Sequence, residues 1–264
     1  MKFTLSVEEL GFAMGFLGGT DVAAGFLEAI LGAQNQDNLS GRITAASHSL
    51  IARGLLTLDL ATGQNELNGD LSTLVKTMML SNRSLRCQSE GPAGERILTC
   101  FLRDDTAVTH QLEFGVVSHL TALAAKKEIV TCIVDFVGPT EGETAVNQPI
   151  AQISIDRLQT IREYIAAGQT VRAKQSLAEV LPSPLAQELA DDFQQTAVTW
   201  GSILHLETDS EDAEAPLESN EGILYTALPE KLWLFQIVAE NPVEASLFRG
   251  NKKQLQQMVQ VILQ

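Results

Sequence analysis

Hydrophobic residues recur at helical spacing through most of the first 80 positions, after a short alternating strand at 2–5. The first helix opens with a capping box, because Ser6 is followed three residues later by Glu9. The predicted helices cover residues 6–18, 20–31, 43–54 and 71–79. Two short strands near 55–60 and 65–67 flank a turn at Gly63. Residues 1–82 are therefore predicted to form a helical bundle with the shape of a winged helix.

From Ser84 the pattern changes to short β-like runs, "SLRCQ", "ERILTCFLR" and "AVTHQLEF", which are separated by glycine, proline and aspartate turns. These runs predict an antiparallel meander. A helix is predicted over 116–127, and the β-branched run "EIVTCIVDFV" at 128–137 predicts a strand. Residues 1–140 then form a first half, and 141–149 form a turn-rich linker.

Residues 150–264 repeat the order of elements of the first half. "FTLSVEELGFAMGFLG" at 3–18 corresponds to "AQISIDRLQTIREYIAAG" at 151–168, since both contain a short strand, a serine cap and an apolar helix. The meander at 84–113 corresponds to "SILHLET" and "NEGILYTALPEKLWLFQIVAE" at 202–240. Further helices are predicted at 169–181, 184–196 and 252–263. The repeat predicts an α+β fold with pseudo-two-fold symmetry.

The charge of the chain disfavours nucleic acid as a partner. The 264 residues carry a formal net charge of −15, which repels phosphate backbones and anionic lipids. The outward face of the third helix is small and nearly uncharged, with Ala45, His48, Ser49 and Ala52. Residues 1–82 contain four basic and eight acidic side chains, whereas a DNA-binding domain needs a basic footprint. An acidic loop at 207–221 has seven acidic residues and no basic one, which predicts a solvated excursion.

The apolar stretch from Leu10 to Ala33 is predicted to form two buried helices rather than a membrane span. It has only two charged residues, Asp21 and Glu28, but six glycines interrupt it. Its longest uncharged run is far shorter than the roughly 20 residues that cross a bilayer. We therefore expect no membrane insertion.

No catalytic, metal-binding or cofactor-binding pattern is present in the sequence. The three cysteines are widely spaced and the four histidines are scattered, which argues against a disulfide framework or a zinc site. The glycines near the N-terminus do not form a phosphate-binding loop. Trp233 and Phe235 lie in the most apolar strand and are predicted core residues. These features predict a non-enzymatic protein without metal or cofactor in a reducing, cytoplasmic location.

The order of elements resembles that of the EspG-type chaperones of type VII (ESX) secretion systems. The segments that carry the resemblance are "FTLSVEEL", "LIARGLL", the meander, "PIAQISIDRL" and "GILYTALPEKLWLFQIVAENP" with the terminal helix. The resemblance implies a central antiparallel sheet flanked by two helical bundles. It also implies a cytoplasmic chaperone that binds the hydrophobic tip of a helical PE–PPE-like pair. In that family a hairpin loop of the sheet and the adjoining bundle contact the substrate; here the loop is 89–96.

The sequence thus predicts a protein-binding protein, monomeric or dimeric, with candidate contact residues Ser89, Glu90, Glu95 and Arg96 in the first hairpin loop. The alternative is a winged-helix-type regulator that acts through protein contact or, less favoured, through DNA. An enzyme is the third hypothesis.

Overall fold

The computed structural model of the chain describes residues 1–33, 35–59, 62–92, 94–104, 106–124, 126–138, 148–195, 198–207 and 221–264. The helices in these ranges are α1 (Val7–Phe16), α2 (Thr20–Leu31), α3 (Gln36–Ala52), α4 (Gly69–Met79), α5 (Lys126–Val137), α6 (Ile155–Ala166), α7 (Thr170–Ala178), α8 (Ser183–Phe193) and α9 (Lys252–Ile262). The strands are β1 (Lys2–Ser6), β2 (Leu56–Asp59), β3 (Gln64–Leu67), β4 (Arg83–Gly91), β5 (Gly94–Arg103), β6 (Thr106–Glu113), β7 (Val117–Leu123), β8 (Ala151–Ser154), β9 (Thr199–Glu207), β10 (Gly222–Ala227), β11 (Leu232–Val238) and β12 (Asn241–Gly250).

In the described part of the chain, ten strands form one antiparallel sheet in the order β1-β7-β6-β5-β4-β9-β10-β11-β12-β8. The order is symmetrical, because each first-half strand has a second-half counterpart at the same distance from the centre. The remaining strands, β2 and β3, pair as a separate ribbon between α3 and α4, where the sequence predicts the wing. The predicted α+β fold with a pseudo-two-fold repeat and a central antiparallel sheet is confirmed.

The chain divides into two compact units. Unit 1 comprises Met1–Ser84 and Leu98–Ala125, and unit 2 comprises Leu85–Ile97 and Lys126–Gln264. Unit 2 therefore includes the 85–97 hairpin and α5, which the sequence assigned to the first half. Most of the predicted linker 141–149 and most of the acidic loop 207–221 lie outside the described residues. The division into halves at the linker stays a prediction.

In unit 1, the predicted capping box at the start of α1 also connects α1 to α3. The Ser6 hydroxyl accepts from the Glu9 backbone N–H, and the Glu9 carboxylate accepts from the Ser6 N–H. Glu9 is only 4% exposed, and its carboxylate also accepts from Ser49 Oγ and Arg53 Nη1, each at 2.7 Å. These bonds fix α3 against α1. The core beneath includes Leu10, Met14, Leu50, Leu71, Leu74 and Leu120.

Unit 2 repeats the entry into its helical layer with Ser154, whose hydroxyl accepts from the Arg157 backbone N–H at 3.3 Å. Its core lies between α6, α7, α8 and one face of the sheet, and includes Leu158, Ile161, Leu177, Leu189, Phe193, Trp233 and Phe235. The predicted core positions of Trp233 and Phe235 are confirmed, since both are buried.

Two neighbouring predictions of secondary structure are wrong: the predicted helix is a strand and the predicted strand is a helix. Residues 116–127 were predicted as a helix, but Val117–Leu123 is strand β7, because it pairs with β1 on one side and β6 on the other. Residues 128–137 were predicted as a strand, but they lie in helix α5. Their buried positions 129, 130, 133, 134 and 137 recur at helical spacing, and that burial overrides the β-propensity of the branched side chains.

Helix α3 begins seven residues earlier than the predicted start near Ile43. The Asn35 side chain accepts from the Asp37 N–H at 2.9 Å and caps the helix. The face that the sequence places outward is exposed, as predicted, at Ala45, His48, Ser49 and Ala52. The stretch 10–33 forms two helices as predicted, α1 and α2, joined at Gly18 with φ +94°. The predicted burial is wrong for α2, in which only Ala23 and Leu27 are buried, because one side of this helix faces solvent. Within the described ranges, no helix has the length and apolarity that a membrane crossing requires.

Candidate partner-binding site

The predicted contact residues lie on a tight hairpin of unit 2, formed by β4 and the start of β5. Two glycines shape this hairpin, each for a different reason. Gly94 has φ +91°, a conformation that favours glycine. A Cβ at Gly91 would lie 2.5 Å from Thr199 Oγ1, so this glycine permits the close approach of β9. The turn residue Pro92 is exposed.

One face of the hairpin is anchored on α5. Arg96 Nη2 donates to the Phe136 carbonyl at 2.7 Å, and the guanidinium carbon lies 4.8 Å from the centre of the Phe136 ring. Ser89 shares this face: its hydroxyl lies 3.5 Å from Arg96 Nη2. Ser89 is only 2% exposed and does not form part of the surface. Ser89 therefore supports the hairpin from within, whereas Arg96 is exposed although its guanidinium is bonded to α5.

The other two candidate residues are exposed on the opposite face. Glu95 Oε1 accepts from Gln88 Nε2 at 2.5 Å. Glu90 Oε2 pairs with Arg162 Nη2 on α6, also at 2.5 Å. The Glu90 and Arg162 side chains are both more than half exposed, so water screens the pair and its contribution to stability is small. Glu90 and Glu95 are thus accessible acidic groups next to α6.

Beside this face lies a cavity of about 590 Å³ between α6 and strands β4, β9, β10 and β11. Its apolar walls include Leu158, Leu204 and Leu224, together with the half-buried Trp200. The Arg162 guanidinium carbon lies 5.7 Å from the centre of the Trp200 ring, a cation–π distance. Since Arg162 is exposed, its pair with Glu90 lies on the open side of the cavity.

A polar atom without a partner lies in the wall of the same cavity. Thr226 is 0% exposed, and its hydroxyl has no hydrogen bond among the described residues. Its neighbours on the adjacent strands are Trp200 and Trp233. The Trp233 indole N–H is already used, since it donates to Asp192 Oδ2 at 2.9 Å.

The Tyr225 phenol is the titratable group near the hairpin with a large pKa shift among the described residues. Burial raises the pKa of the Tyr225 phenol, so that it stays neutral, and its hydroxyl donates to the Gln88 carbonyl at 3.3 Å. The described residues contain no group of three or more His, Cys, Asp or Glu side chains that could hold a metal ion.

Sequence reasoning found the hairpin but missed the cavity. Its lining residues come from five separate elements of unit 2, and no local pattern links them. Trp200 lies in "VTWGSIL" next to Gly201, where a Cβ would meet the Tyr225 hydroxyl at 2.3 Å. That close approach lies on the face of the sheet opposite to Trp200 and Thr226, so it was not a local sign of the cavity.

The ten-stranded sheet with helices packed on it is a fold that is also found in a solved secretion chaperone. The chain is similar to the Mycobacterium tuberculosis type VII secretion system chaperone EspG5, solved in complex with a PE25–PPE41 dimer. The TM-score is 0.71 with 8% sequence identity, and the match covers 100% of this chain and 96% of that chain. At this identity the likeness establishes the fold. No protein-family model and no curated protein matches the sequence.

Proposed function

We propose that this protein is a cytoplasmic, non-catalytic chaperone that binds a helical partner of the PE–PPE type and keeps it soluble for secretion. The observation that supports this function is the fold, because the likeness to a PE–PPE-bound chaperone extends over the whole chain. A fold alone does not define a function, so the site must supply the specificity.

The proposed contact is the exposed face of the β4–β5 hairpin, with Glu90 and Glu95 toward the partner. Arg96 and Phe136 hold the hairpin in place before the partner arrives. A contact that is already ordered loses less conformational entropy on binding than a free loop does. The rim charges then select partners with basic groups opposite them.

Co-expression with helical-hairpin proteins encoded beside this chain tests the function. We expect a stable complex to copurify. In the double variant Glu90→Arg/Glu95→Arg, affinity should fall by about tenfold, because charge at a rim contact is reversed. The matched control is Glu240→Arg, which reverses an exposed charge in the β11–β12 turn. Absence of any complex would overturn the function, and an unchanged affinity of the double variant would overturn the site.

The alternative of a DNA-binding regulator is disfavoured by the contacts of α3. Arg42 pairs with Glu8, and Arg53 with Glu9, so both arginines of this region are neutralised by acids of α1. Phosphate contacts require available cations. We expect no retarded band in a mobility-shift titration even at low salt; a salt-sensitive shift would restore the regulator hypothesis.

A further inference from the structure

Unit 1 has exposed apolar side chains around the turn between α1 and α2. Phe16 at the end of α1 is 37% exposed, and Val22 in the first turn of α2 is 48% exposed. Gly19 in the turn packs against the end of α4, since a Cβ there would lie 2.5 Å from Met79 Sδ. The residue after Met79, Leu80, is 55% exposed. Three large apolar side chains thus surround one turn, whereas a single exposed one would be ordinary. We call these three residues the turn patch.

Two charged side chains of opposite sign flank the turn patch. Asp21 precedes Val22 on α2, and Lys76 lies one helical turn before Leu80 on α4. Both side chains are exposed, and neither forms an ion pair with any residue that the structure describes. The patch therefore has an apolar centre with one unpaired acid and one unpaired base at its edge.

This arrangement of charges favours a second copy of the chain as the occupant. In a two-fold contact a surface meets itself, so the acid of one copy lies opposite the base of the other. A basic partner, which a chain of net charge −15 attracts, would meet Lys76 as well as Asp21 here and gain no net attraction. The same net charge makes two copies repel each other, so they associate best where both signs are present.

We propose that two copies of this chain associate through the turn patch, with Asp21 of each copy paired with Lys76 of the other. The contact uses residues of unit 1 and none of the β4–β5 hairpin, so the inference goes beyond the proposed chaperone function. Three apolar side chains per copy form a small centre compared with standard interfaces, which bury about 800 Å² per partner. We therefore expect a dissociation constant in the micromolar range.

Sedimentation velocity on the purified chain tests the association. Between about 1 and about 200 μM the sedimentation coefficient should rise from that of a monomer to that of a dimer. Leu80→Glu places a charge in the apolar centre, so this variant should stay monomeric throughout the range. The matched control is Val171→Glu, which changes a side chain of unit 2 that is 68% exposed and should dimerise as the unaltered chain does. A monomer at every concentration of the unaltered chain, or unchanged dimerisation of Leu80→Glu, overturns the proposal.

An exchange of charges tests the pairing between the copies. Asp21→Lys or Lys76→Asp alone places like charges opposite each other at two symmetry-related positions, so each should weaken the dimer by about tenfold. The double variant Asp21→Lys/Lys76→Asp makes the charges opposite again and should restore the dimer. A double variant as weak as the single ones, or single variants that dimerise normally, overturns the proposal.

The assay contains this chain alone, so its result is independent of the chaperone function. If the unaltered chain stays monomeric while Leu80→Glu loses a copurifying helical partner, the turn patch contacts that partner and the proposal of a dimer is wrong.

Discussion

In both units the first helix follows the same strand–serine cap motif, but the side chains at its start are buried to different extents. Each has a short edge strand, a serine N-cap and a helix, with Ser6 before α1 and Ser154 before α6. At the third helical position unit 1 has Glu9 and unit 2 has Arg157. Glu9 is buried beneath α3, whereas Arg157 is partly exposed and donates to a carbonyl of α7.

The extra cover in unit 1 comes from α3 and the β2–β3 ribbon, which stand between α2 and α4. Unit 2 passes from α7 to α8 through a short connection and has no such insertion. Unit 1 therefore covers α1 with a further helix, while unit 2 leaves a large cavity against α6. Unit 1 also has an open groove of about 460 Å³ at the α1–α3 contact, lined in part by Glu8, Glu9 and Arg42. The insertion therefore changes which part of the helical layer is covered and where the larger cavity lies.

The largest expected effect on stability is at the N-terminus of α1, compared with the N-terminus of α6. Glu9→Ala removes the capping box and leaves Arg53 and Ser49 without their shared acceptor, so we expect a loss of about 2–3 kcal/mol in unfolding free energy. The matched variant in unit 2, Arg157→Ala, removes an ion pair to the mostly exposed Glu179 and one hydrogen bond to the Ser176 carbonyl, so it should cost about 1 kcal/mol. Urea titrations of both variants measure the difference. Equal losses would show that burial of Glu9 does not distinguish the units.

Low pH should destabilise unit 1 through the buried His110. Burial, with a smaller contribution from His119, lowers the pKa of His110 from 6.5 to about 4. In the unfolded chain this histidine therefore binds a proton below about pH 6.5, whereas in the folded chain it does so only below about pH 4. The stability that depends on neutral His110 is complete above the unfolded pKa and is lost as the pH falls through this window.

The expected contribution of His110 by pH 4 is about 2–3 kcal/mol. The test is the decrease in unfolding free energy between about pH 7 and about pH 4. This decrease should be smaller for His110→Gln than for the unaltered chain. The control His48→Gln, at an exposed position, should lose as much stability as the unaltered chain. Hydrogen exchange should show unit 1 opening first. An identical acid loss in His110→Gln would exclude this histidine as a cause.

Local signals in the sequence predicted the start of both helical layers well. The serine caps and the wing depend on residues within a few positions of one another, so the sequence contains all the information. The order of elements then revealed the repeat, which the symmetrical sheet confirms. The hairpin at 89–96 was also located correctly as a turn between two strands.

The fourth strand of each meander was missed, for reasons that are not local. Leu120, Ala122 and Leu123 favour a helix in isolation, and β7 is a strand because β1 and β6 pair with it. In β12, Pro242 and Gly250 weaken the strand pattern, although β11 and β8 bond to it on both sides. The cavity shares this origin, since Trp200, Thr226 and Arg162 come together only after strands and helix have assembled.

The smallest expected effect tests whether the cavity wall of unit 2 holds an unsatisfied group. Thr226→Val replaces the unpartnered hydroxyl with a methyl of similar size, so the folded state no longer contains a desolvated polar atom and should gain about 1 kcal/mol. Thr109 in unit 1 is the control, because it is also buried but donates to the Thr121 carbonyl at 3.4 Å. Thr109→Val loses that bond and should not stabilise the protein. Thermal unfolding of both variants measures the two changes in stability. A lower melting temperature for Thr226→Val would mean that the Thr226 hydroxyl already has a hydrogen-bond partner in the folded protein.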